Sequence, residues 1–217
     1  MIEINKYIDH TNLKAATTEA EIEDLCEEAI EYNFFSVCVN SGFVKLAKNK
    51  LKDSEVKVCS VVGFPLGAMS SEAKVFEAKQ AIKDGAEEID MVINIGELKS
   101  RNFKKVEEEI GAIKNAIGNN VLKVIIETCY LNKEEITEAC ELAVKANADF
   151  VKTSTGFGND GARLEDIELM KSAVNGKAKI KASGGIKNLD KALTYIEAGV
   201  KRIGTSSGVS IVKELNR

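Results

Sequence analysis

Short β-branched segments alternate with amphipathic helical segments along the whole chain, and this alternation constrains the fold more than any other feature. Seven segments have the composition of buried strands, at 35–39, 56–62, 88–93, 122–127, 149–152, 179–182 and 202–204, and Tyr7-Ile8-Asp9 makes an eighth. Helical faces recur between them, as at Ile22, Leu25, Cys26 and Ala29 behind Thr18. Strands that repeat every 20 to 35 residues or so, with a helix between them, form βαβ units, so we predict a parallel sheet.

The number of these units decides between two parallel architectures. Seven or eight βαβ units within 217 residues favour a closed (β/α)₈ barrel, the TIM barrel, over an open doubly wound sheet. No Gly-x-Gly-x-x-Gly motif follows the first strand, which counts against a dinucleotide-binding fold. We therefore predict an α/β protein with one TIM-barrel domain over residues 1–217.

Composition excludes several classes of partner. The formal charge is −4, and basic residues are scattered without a basic stripe, so we expect no nucleic-acid partner. No apolar run approaches the roughly 18 residues that span a bilayer, so we expect no membrane association. The N-terminus lacks the regions of a signal peptide, which indicates a cytoplasmic protein. The five cysteines have neither disulfide nor metal-ligand spacing, and no His, Cys or carboxylate cluster indicates a metal site.

Strand alternation predicts a charged barrel interior. On the strand at 88–93 the apolar set Ile89, Met91 and Ile93 faces the helices, which turns Asp90 inward. The same rule turns these further side chains inward: Val92, Asn94, Lys123, Ile125, Glu127, Phe150, Lys152, Lys179 and Lys181. Barrel interiors are usually filled by branched apolar residues, and active sites form at the C-terminal ends of the strands. The lysines late in their strands therefore mark a candidate active site.

Lys152 and Lys181 in neighbouring strands favour chemistry by a neutral amine. A lysine with an ordinary pKa near 10.4 is neutral in only about one of a few thousand molecules at pH 7. Burial and a second ammonium group nearby both disfavour the charged form. One lysine would then attack a carbonyl to form an imine, while Asp90 and the other lysine move protons. This is the chemistry of a class I aldolase.

Structural roles are alternatives at each of these positions. A single lysine late in a strand more often extends to solvent or forms an ion pair, and we interpret Lys179 in this way. Asp90 as a counter-ion of Lys123, and Glu127 as a counter-ion of another lysine, are supported equally by the pattern. Alternation turns His10 away from its neighbours in sequence, so we interpret it as a hydrogen-bonded structural residue.

Two glycine-rich loops predict a phosphate site. Ser183-Gly184-Gly185 follows one late strand, and Gly204-Thr205-Ser206-Ser207-Gly208 follows the next strand and enters a short helix. The loops after strands seven and eight are the usual phosphate site of a TIM barrel, where backbone N–H groups face the anion. Turns and helix caps alone would also use Gly and Ser. The coincidence of two such loops favours a small phosphorylated substrate.

Six ordered motifs carry a resemblance to a known family over nearly the whole chain. They are Ile8-Asp9-His10-Thr11, Val62-Gly63-Phe64-Pro65-Leu66-Gly67, Glu88-Ile89-Asp90-Met91-Val92-Ile93-Asn94, Lys123-Val124-Ile125-Ile126-Glu127-Thr128, Val151-Lys152-Thr153-Ser154-Thr155-Gly156-Phe157 and Lys181-Ala182-Ser183-Gly184-Gly185-Ile186. With these motifs the chain resembles the deoxyribose-phosphate aldolase family. The resemblance implies reversible cleavage of 2-deoxy-D-ribose 5-phosphate to D-glyceraldehyde 3-phosphate and acetaldehyde, without a metal or organic cofactor.

The resemblance also implies roles for individual residues. Lys152 would form the Schiff base, while Lys181 perturbs it and shares proton transfer with Asp90. The substrate-binding set would be Gly184, Gly185, Ser206 and Ser207 for the phosphate, Thr155 nearby, and Cys38 at the acetaldehyde end. A homodimer is the assembly that the resemblance implies. Some longer relatives end in a tail with a terminal Tyr, whereas this chain ends in Glu-Leu-Asn-Arg, so we expect no contribution from such a tail.

Two rival functions remain open from the sequence. One is another phosphate-binding TIM-barrel enzyme, such as an isomerase or an aldolase with a different donor. The other is a non-catalytic phosphosugar-binding barrel, which would bind its ligand without turnover and would keep its function in Lys152→Ala. Imine formation with acetaldehyde separates both rivals from the aldolase.

Overall fold

Eight parallel strands close into a barrel, as the sequence predicted. The structure, a computed structural model, describes residues 3–215. The strands follow one another around the barrel in chain order, and the last pairs with the first. They are β1 (Ile8–Asn12), β2 (Ser36–Val39), β3 (Lys57–Val62), β4 (Glu88–Val92), β5 (Val121–Ile125), β6 (Phe150–Lys152), β7 (Lys179–Ser183) and β8 (Arg202–Thr205). The fold is a TIM barrel.

Helices cover the outside of the barrel. Over the described residues they are α1 (Glu19–Glu31), α2 (Val44–Lys50), α3 (Ser71–Asp84), α4 (Ile95–Lys99), α5 (Phe103–Ile117), α6 (Lys133–Lys145), α7 (Leu164–Val174), α8 (Leu189–Glu197) and α9 (Gly208–Leu215). Capping boxes start α1 at Thr18 and α6 at Asn132. The side-chain oxygen of each capping residue accepts from the third backbone N–H of the helix, and the Glu side chain at that third position accepts from the backbone N–H of the capping residue. None of these helices combines the length and apolar character needed to cross a bilayer.

Parallel register brings the interior side chains into contact. Asp90 stands opposite Lys123, Ile125 opposite Lys152, and Lys152 opposite Lys181. Their neighbours in sequence face the helices, where Ile89, Met91 and Ile93 are fully buried in the main apolar core. Alternation along each strand therefore separates a charged interior from an apolar layer under the helices.

Two positions near strand ends differ from the alternation rule, and a third, Lys179, is exposed. Glu127 was predicted to continue a strand and point into the barrel, but β5 ends at Ile125 because the backbone at Glu127 is left-handed, with φ 55°. Asn94 was also expected inside the barrel; its side chain instead accepts from Glu97 N and caps α4. Lys179 is exposed at the start of β7, with its Nζ 5.5 Å from the centroid of the Phe150 ring, in keeping with its interpretation as a solvent-facing lysine.

Candidate active site

One carboxylate, Asp90, holds three lysine ammonium groups inside the barrel. Its Oδ2 lies 2.7 Å from Lys152 Nζ and 2.8 Å from Lys181 Nζ, and its Oδ1 lies 2.9 Å from Lys123 Nζ. All four side chains are buried. Because Lys152 and Lys181 share one oxygen atom, their two nitrogen atoms are separated by no more than the sum of those two distances. The sequence pattern left open that Asp90 is only the counter-ion of Lys123. In the structure it pairs with three lysines.

Two further carboxylates and an arginine belong to the same buried cluster. Asp9 lies 2.5 Å from Lys181 Nζ and 2.7 Å from Arg202. Glu88 lies 2.5 Å from Lys123 Nζ and 3.1 Å from Arg202. Removing one partner from such a buried group leaves an uncompensated charge, so the members hold one another in place.

The pairing pattern distinguishes Lys152 from the other cations. Lys123, Lys181 and Arg202 each contact two carboxylates, whereas Lys152 contacts only Asp90 within the described part of the chain. Fully ionised, the cluster holds four cations and three carboxylates, and so carries one excess positive charge. Loss of a proton from Lys152 makes the cluster neutral and leaves every doubly paired cation in place. Lys152 is also the lysine of this cluster that lines the cavity described below.

The charge environment keeps Lys181 protonated. Burial alone would lower the pKa of Lys181, but Asp9 and Asp90 raise it well above its ordinary value. Burial alone would raise the pKa of Asp90, but Lys123, Lys152 and Lys181 hold it well below its ordinary value. The expectation that burial and a nearby ammonium group disfavour the charged form is therefore wrong for Lys181, because Asp9 and Asp90 both contact it. Lys181 is a fixed ammonium group beside Lys152.

A cavity of about 410 Å³ opens at the C-terminal ends of β1, β6, β7 and β8. Its lining includes six residues that the sequence placed in the site: Lys152, Thr155, Gly184, Gly185, Ser206 and Ser207. Two glycines shape one rim, with φ of 87° at Gly184 and 72° at Gly185. A Cβ at Gly184 would come within 2.8 Å of Gly161, so the close approach of these loops also requires glycine.

The two predicted phosphate loops are joined to each other. Thr205 Oγ1 donates to the Ile186 carbonyl at 2.7 Å and accepts from Ser207 N at 2.9 Å. Helix α9 begins at Gly208, directly after this loop. Ser206 is exposed and Ser207 is half-buried, so both remain open to a ligand. Backbone N–H groups and the start of a helix form the kind of surface that binds an anion.

Cys38 lies outside the cavity lining of the described residues. It is fully buried and packs with Leu13, Cys59 and Val61, so its expected place at the acetaldehyde end is not a direct lining position. Cys59 Sγ donates to Asp90 at 3.1 Å, and one ligand atom each from Cys38, Cys59 and Asp90 lies within 4.8 Å of the others. The fold thus assembles a cluster that cysteine spacing did not indicate. The ammonium groups on Asp90 oppose a cation there.

His10 and Glu127 make specific contacts at the edge of the site. His10 Nε2 lies 2.6 Å from Glu28, in keeping with a hydrogen-bonded structural role, although His10 also lines the cavity. Glu127 contacts the backbone and the hydroxyl of Thr155, and no lysine lies within ion-pair distance of it among the described residues. Burial raises the pKa of Glu127 despite these hydrogen bonds. The alternative of Glu127 as a lysine counter-ion is therefore wrong.

Comparison with known proteins adds an independent observation. The model of a family described as "DeoC/LacD family aldolase" matches residues 4–214. The chain belongs to this aldolase family. A deoxyribose-phosphate aldolase of Finegoldia magna is 58% identical over 212 residues, covering 98% of this chain and all of that relative.

Solved structures of aldolases have the same fold. One described as "QR15, an Aldolase" has a TM-score of 0.96 and 48% identity, covering all of this chain and 97% of that one. A deoxyribose phosphate aldolase from Aeropyrum pernix, described as tetrameric, has a TM-score of 0.90 and 30% identity, covering 98% of this chain and 91% of that one. These matches extend over the whole barrel, including every strand that contributes to the charged cluster.

The sequence interpretation assigned no role to three members of the cluster in this aldolase: Asp9, Glu88 and Arg202. A signal for all three was present, because the rule that turns Asp90 inward also turns Glu88 inward, two residues earlier on the same strand. The alternation rule, applied to Tyr7-Ile8-Asp9 and to Arg202-Ile203-Gly204, puts the isoleucines under the helices and turns Asp9 and Arg202 inward. Both strands are short, and a two- or three-residue pattern is weak until the barrel closes and β8 pairs with β1.

The charged cluster predicts a steep loss of stability in acid. Asp90 has a lowered pKa in the folded protein, so its contribution is present above the unfolded value of about 4 and is lost as the pH falls below it. We expect the free energy of unfolding to fall less steeply between about pH 5 and pH 2 in Asp90→Asn than in the unmodified protein. Urea unfolding at a series of pH values measures this.

Asp53→Asn is the matched control for this experiment, because the Asp53 side chain is 88% exposed. It should leave the slope unchanged. Equal slopes for Asp90→Asn and the unmodified protein would contradict the assignment of acid sensitivity to the Asp90 cluster.

Proposed function

We propose that this chain is a class I aldolase that reversibly cleaves 2-deoxy-D-ribose 5-phosphate into D-glyceraldehyde 3-phosphate and acetaldehyde, in deoxyribose phosphate catabolism. The observation that carries the proposal is a buried lysine, Lys152, that lines a cavity and belongs to a cluster with one excess cation. Relatives named deoxyribose-phosphate aldolase support the choice of substrate. We assign the whole chain, residues 1–217, to one catalytic domain.

Lys152 is the proposed nucleophile. Its neutral amine attacks the C1 aldehyde of the open-chain sugar to give a carbinolamine, which loses water to form a protonated imine. The imine withdraws electrons as the C2–C3 bond breaks and the C3 hydroxyl loses its proton to become a carbonyl. Protonation of the enamine at C2 and hydrolysis of the imine then release acetaldehyde and restore the amine.

Lys181 and Asp90 support the proton transfers of this cycle. Lys181 presents an ammonium group that shares Asp90 Oδ2 with Lys152, and the proposed attack requires Lys152 without its positive charge. The protonated imine restores that charge beside Asp90, whose Oδ2 lies 2.7 Å from Lys152 Nζ. The same carboxylate thus faces the developing charge without rearrangement, which is electrostatic preorganisation. Asp90 and Lys181 are the groups placed to exchange protons with the carbinolamine.

The phosphate group is assigned to the rim opposite Lys152. Gly184 and Gly185 supply backbone on one side, and Ser206 and Ser207 precede α9 on the other. Thr155 lines the cavity between the nucleophile and these loops in the proposed arrangement. This binding needs no metal, because N–H and hydroxyl donors face the anion directly. We also propose a cytoplasmic location, which the five free cysteines support and which cell fractionation tests.

Borohydride trapping tests the proposed nucleophile. Reduction in the presence of acetaldehyde should leave an ethyl group on Lys152, because the imine becomes a stable secondary amine. Peptide mass mapping locates the adduct. Lys152→Met should give no adduct, whereas Lys179→Met, at the exposed start of β7, should be labelled like the unmodified protein.

An adduct on another lysine, or none at all, would overturn the mechanism. Binding of the phosphosugar without an adduct would favour a non-catalytic barrel. An imine with a different carbonyl donor, but not with acetaldehyde, would favour another phosphate-binding aldolase.

A charge change at Ser206 tests the phosphate assignment. Ser206→Asp puts a carboxylate beside the proposed anion, so we expect KM for 2-deoxy-D-ribose 5-phosphate to rise by about tenfold or more, which corresponds to about 1.4 kcal/mol. The low activity expected with unphosphorylated 2-deoxyribose should change little. Ser206→Asn is the uncharged control. Equal losses with both substrates would contradict the phosphate assignment.

A homodimer is our proposed assembly. The sequence resemblance implies a dimer, and the Aeropyrum pernix relative is described as tetrameric, so association of barrels occurs among solved relatives. Light scattering after size-exclusion chromatography should give twice the mass of one chain. A single-chain mass at micromolar concentration would reject the dimer, and a fourfold mass would replace it with a tetramer.

A further inference from the structure

Glu127 lies in a distorted backbone segment directly beside the catalytic strand. Its φ and ψ are 55° and 68°, a left-handed conformation that non-glycine residues rarely adopt. Ile126 N donates to the Lys152 carbonyl, and Thr128 N donates to the carbonyl of the very next residue, Thr153. Between these two hydrogen bonds, the chain after β5 advances by two residues while the chain after β6 advances by one, as in a β-bulge. Bulges beside active sites redirect side chains.

Thr155 makes the close hydrogen bonds to the redirected carboxylate. Thr155 N lies 3.1 Å from Oε1 and 3.3 Å from Oε2 of Glu127, and the Thr155 hydroxyl makes a short hydrogen bond to Oε2. Glu127 is 2% exposed, and among the described residues the other hydrogen bond to its carboxylate comes from Cys129 Sγ at 4.0 Å. The left-handed backbone at Glu127 therefore directs its carboxylate to one cavity-lining residue, Thr155.

These contacts settle the hydrogen-bonding capacity that Thr155 offers to a ligand. A hydroxyl has one proton and two acceptor lone pairs. The Thr155 hydroxyl donates to Glu127 Oε2, so its proton is committed to that carboxylate. Phe157 N donates to Thr155 Oγ1 at 3.0 Å and occupies one lone pair. One lone pair remains, and Thr155 lines the cavity.

We propose that Glu127 is a positioning residue that fixes the Thr155 hydroxyl as a hydrogen-bond acceptor, and thereby selects aldehydes that carry a donating hydroxyl next to the carbonyl. This inference rests on the proposed function. Of the two hydroxyls in the open-chain sugar phosphate, the C3 hydroxyl becomes the carbonyl during cleavage. The C4 hydroxyl persists, and in D-glyceraldehyde 3-phosphate it is the hydroxyl adjacent to the carbonyl.

The test compares two acceptor aldehydes in the synthetic direction, with acetaldehyde as donor. One is D-glyceraldehyde 3-phosphate, and the other is its analogue with fluorine in place of the adjacent hydroxyl, which cannot donate a hydrogen bond. The measured quantity is the ratio of kcat/KM values for the two aldehydes. Comparing this ratio between protein variants cancels the intrinsic reactivity of each aldehyde.

Glu127→Gln keeps the shape of the side chain and reverses one hydrogen bond. The Gln amide donates to Thr155 Oγ1, its carbonyl accepts from Thr155 N, and the Thr155 proton becomes free to face the cavity. We expect the preference for the hydroxylated aldehyde to fall about tenfold relative to the unmodified protein. Glu134→Gln, on the exposed first turn of α6, is the matched control and should keep the original preference.

Thr155 variants keep the proposal testable if Glu127→Gln does not fold. Thr155→Val removes the acceptor and should also lose the preference, whereas Thr155→Ser retains the hydroxyl and should keep it. An unchanged preference in Glu127→Gln or in Thr155→Val would overturn the proposal.

Borohydride trapping of acetaldehyde separates this inference from the function on which it rests. Acetaldehyde has no hydroxyl, so folded Glu127→Gln should still form the Lys152 adduct. Loss of that adduct in Glu127→Gln would overturn the positioning role, because Glu127 would then serve imine formation itself. Absence of the adduct in the unmodified protein would reject the aldolase mechanism instead.

Discussion

The attraction between Asp90 and three ammonium groups is the interaction on which the site depends. A carboxylate without exposure is stable only if its charge is compensated, and here Lys123, Lys152 and Lys181 do so at 2.9, 2.7 and 2.8 Å. Each lysine comes from a different strand, so the contacts exist only when β4 through β7 are in register. The charged cluster therefore forms only when these four strands pair.

The arrangement also distinguishes Lys152, the proposed nucleophile, from the other lysines of the cluster. Three of the four cations have two carboxylate partners each, and Lys152 has one among the described residues. Lys152 is also the lysine of the cluster that reaches the cavity. The one excess positive charge of the cluster thus lies beside the cavity to which we assign the substrate. Repulsion between two lysines alone would not distinguish them, and Asp90 contacts both; the second carboxylate, Asp9, contacts Lys181 and so distinguishes it from Lys152.

Much of this was predictable because period and charge are local properties. The alternation of patterns predicted the TIM barrel, and a two-residue period placed Asp90, Lys152 and Lys181 inside it. The glycine loops predicted the residues that line the cavity rim. The same rule gave the wrong environment for Glu127, because the left-handed backbone there interrupts the two-residue alternation, as a β-bulge does. Nothing in the local composition predicts this conformation.

Side-chain periodicity and motifs along the chain predicted the barrel architecture, the inward face of β4 to β7 and the aldolase family. These follow from side-chain periodicity, which each segment carries whatever its neighbours do. Only the tertiary structure decided which charges pair, since the partners of Asp90 lie 33, 62 and 91 residues away along the chain. It likewise decided that Lys181 stays charged and that Glu127 binds Thr155. The strength of a charge interaction depends on distance and burial, and both are set when the barrel closes.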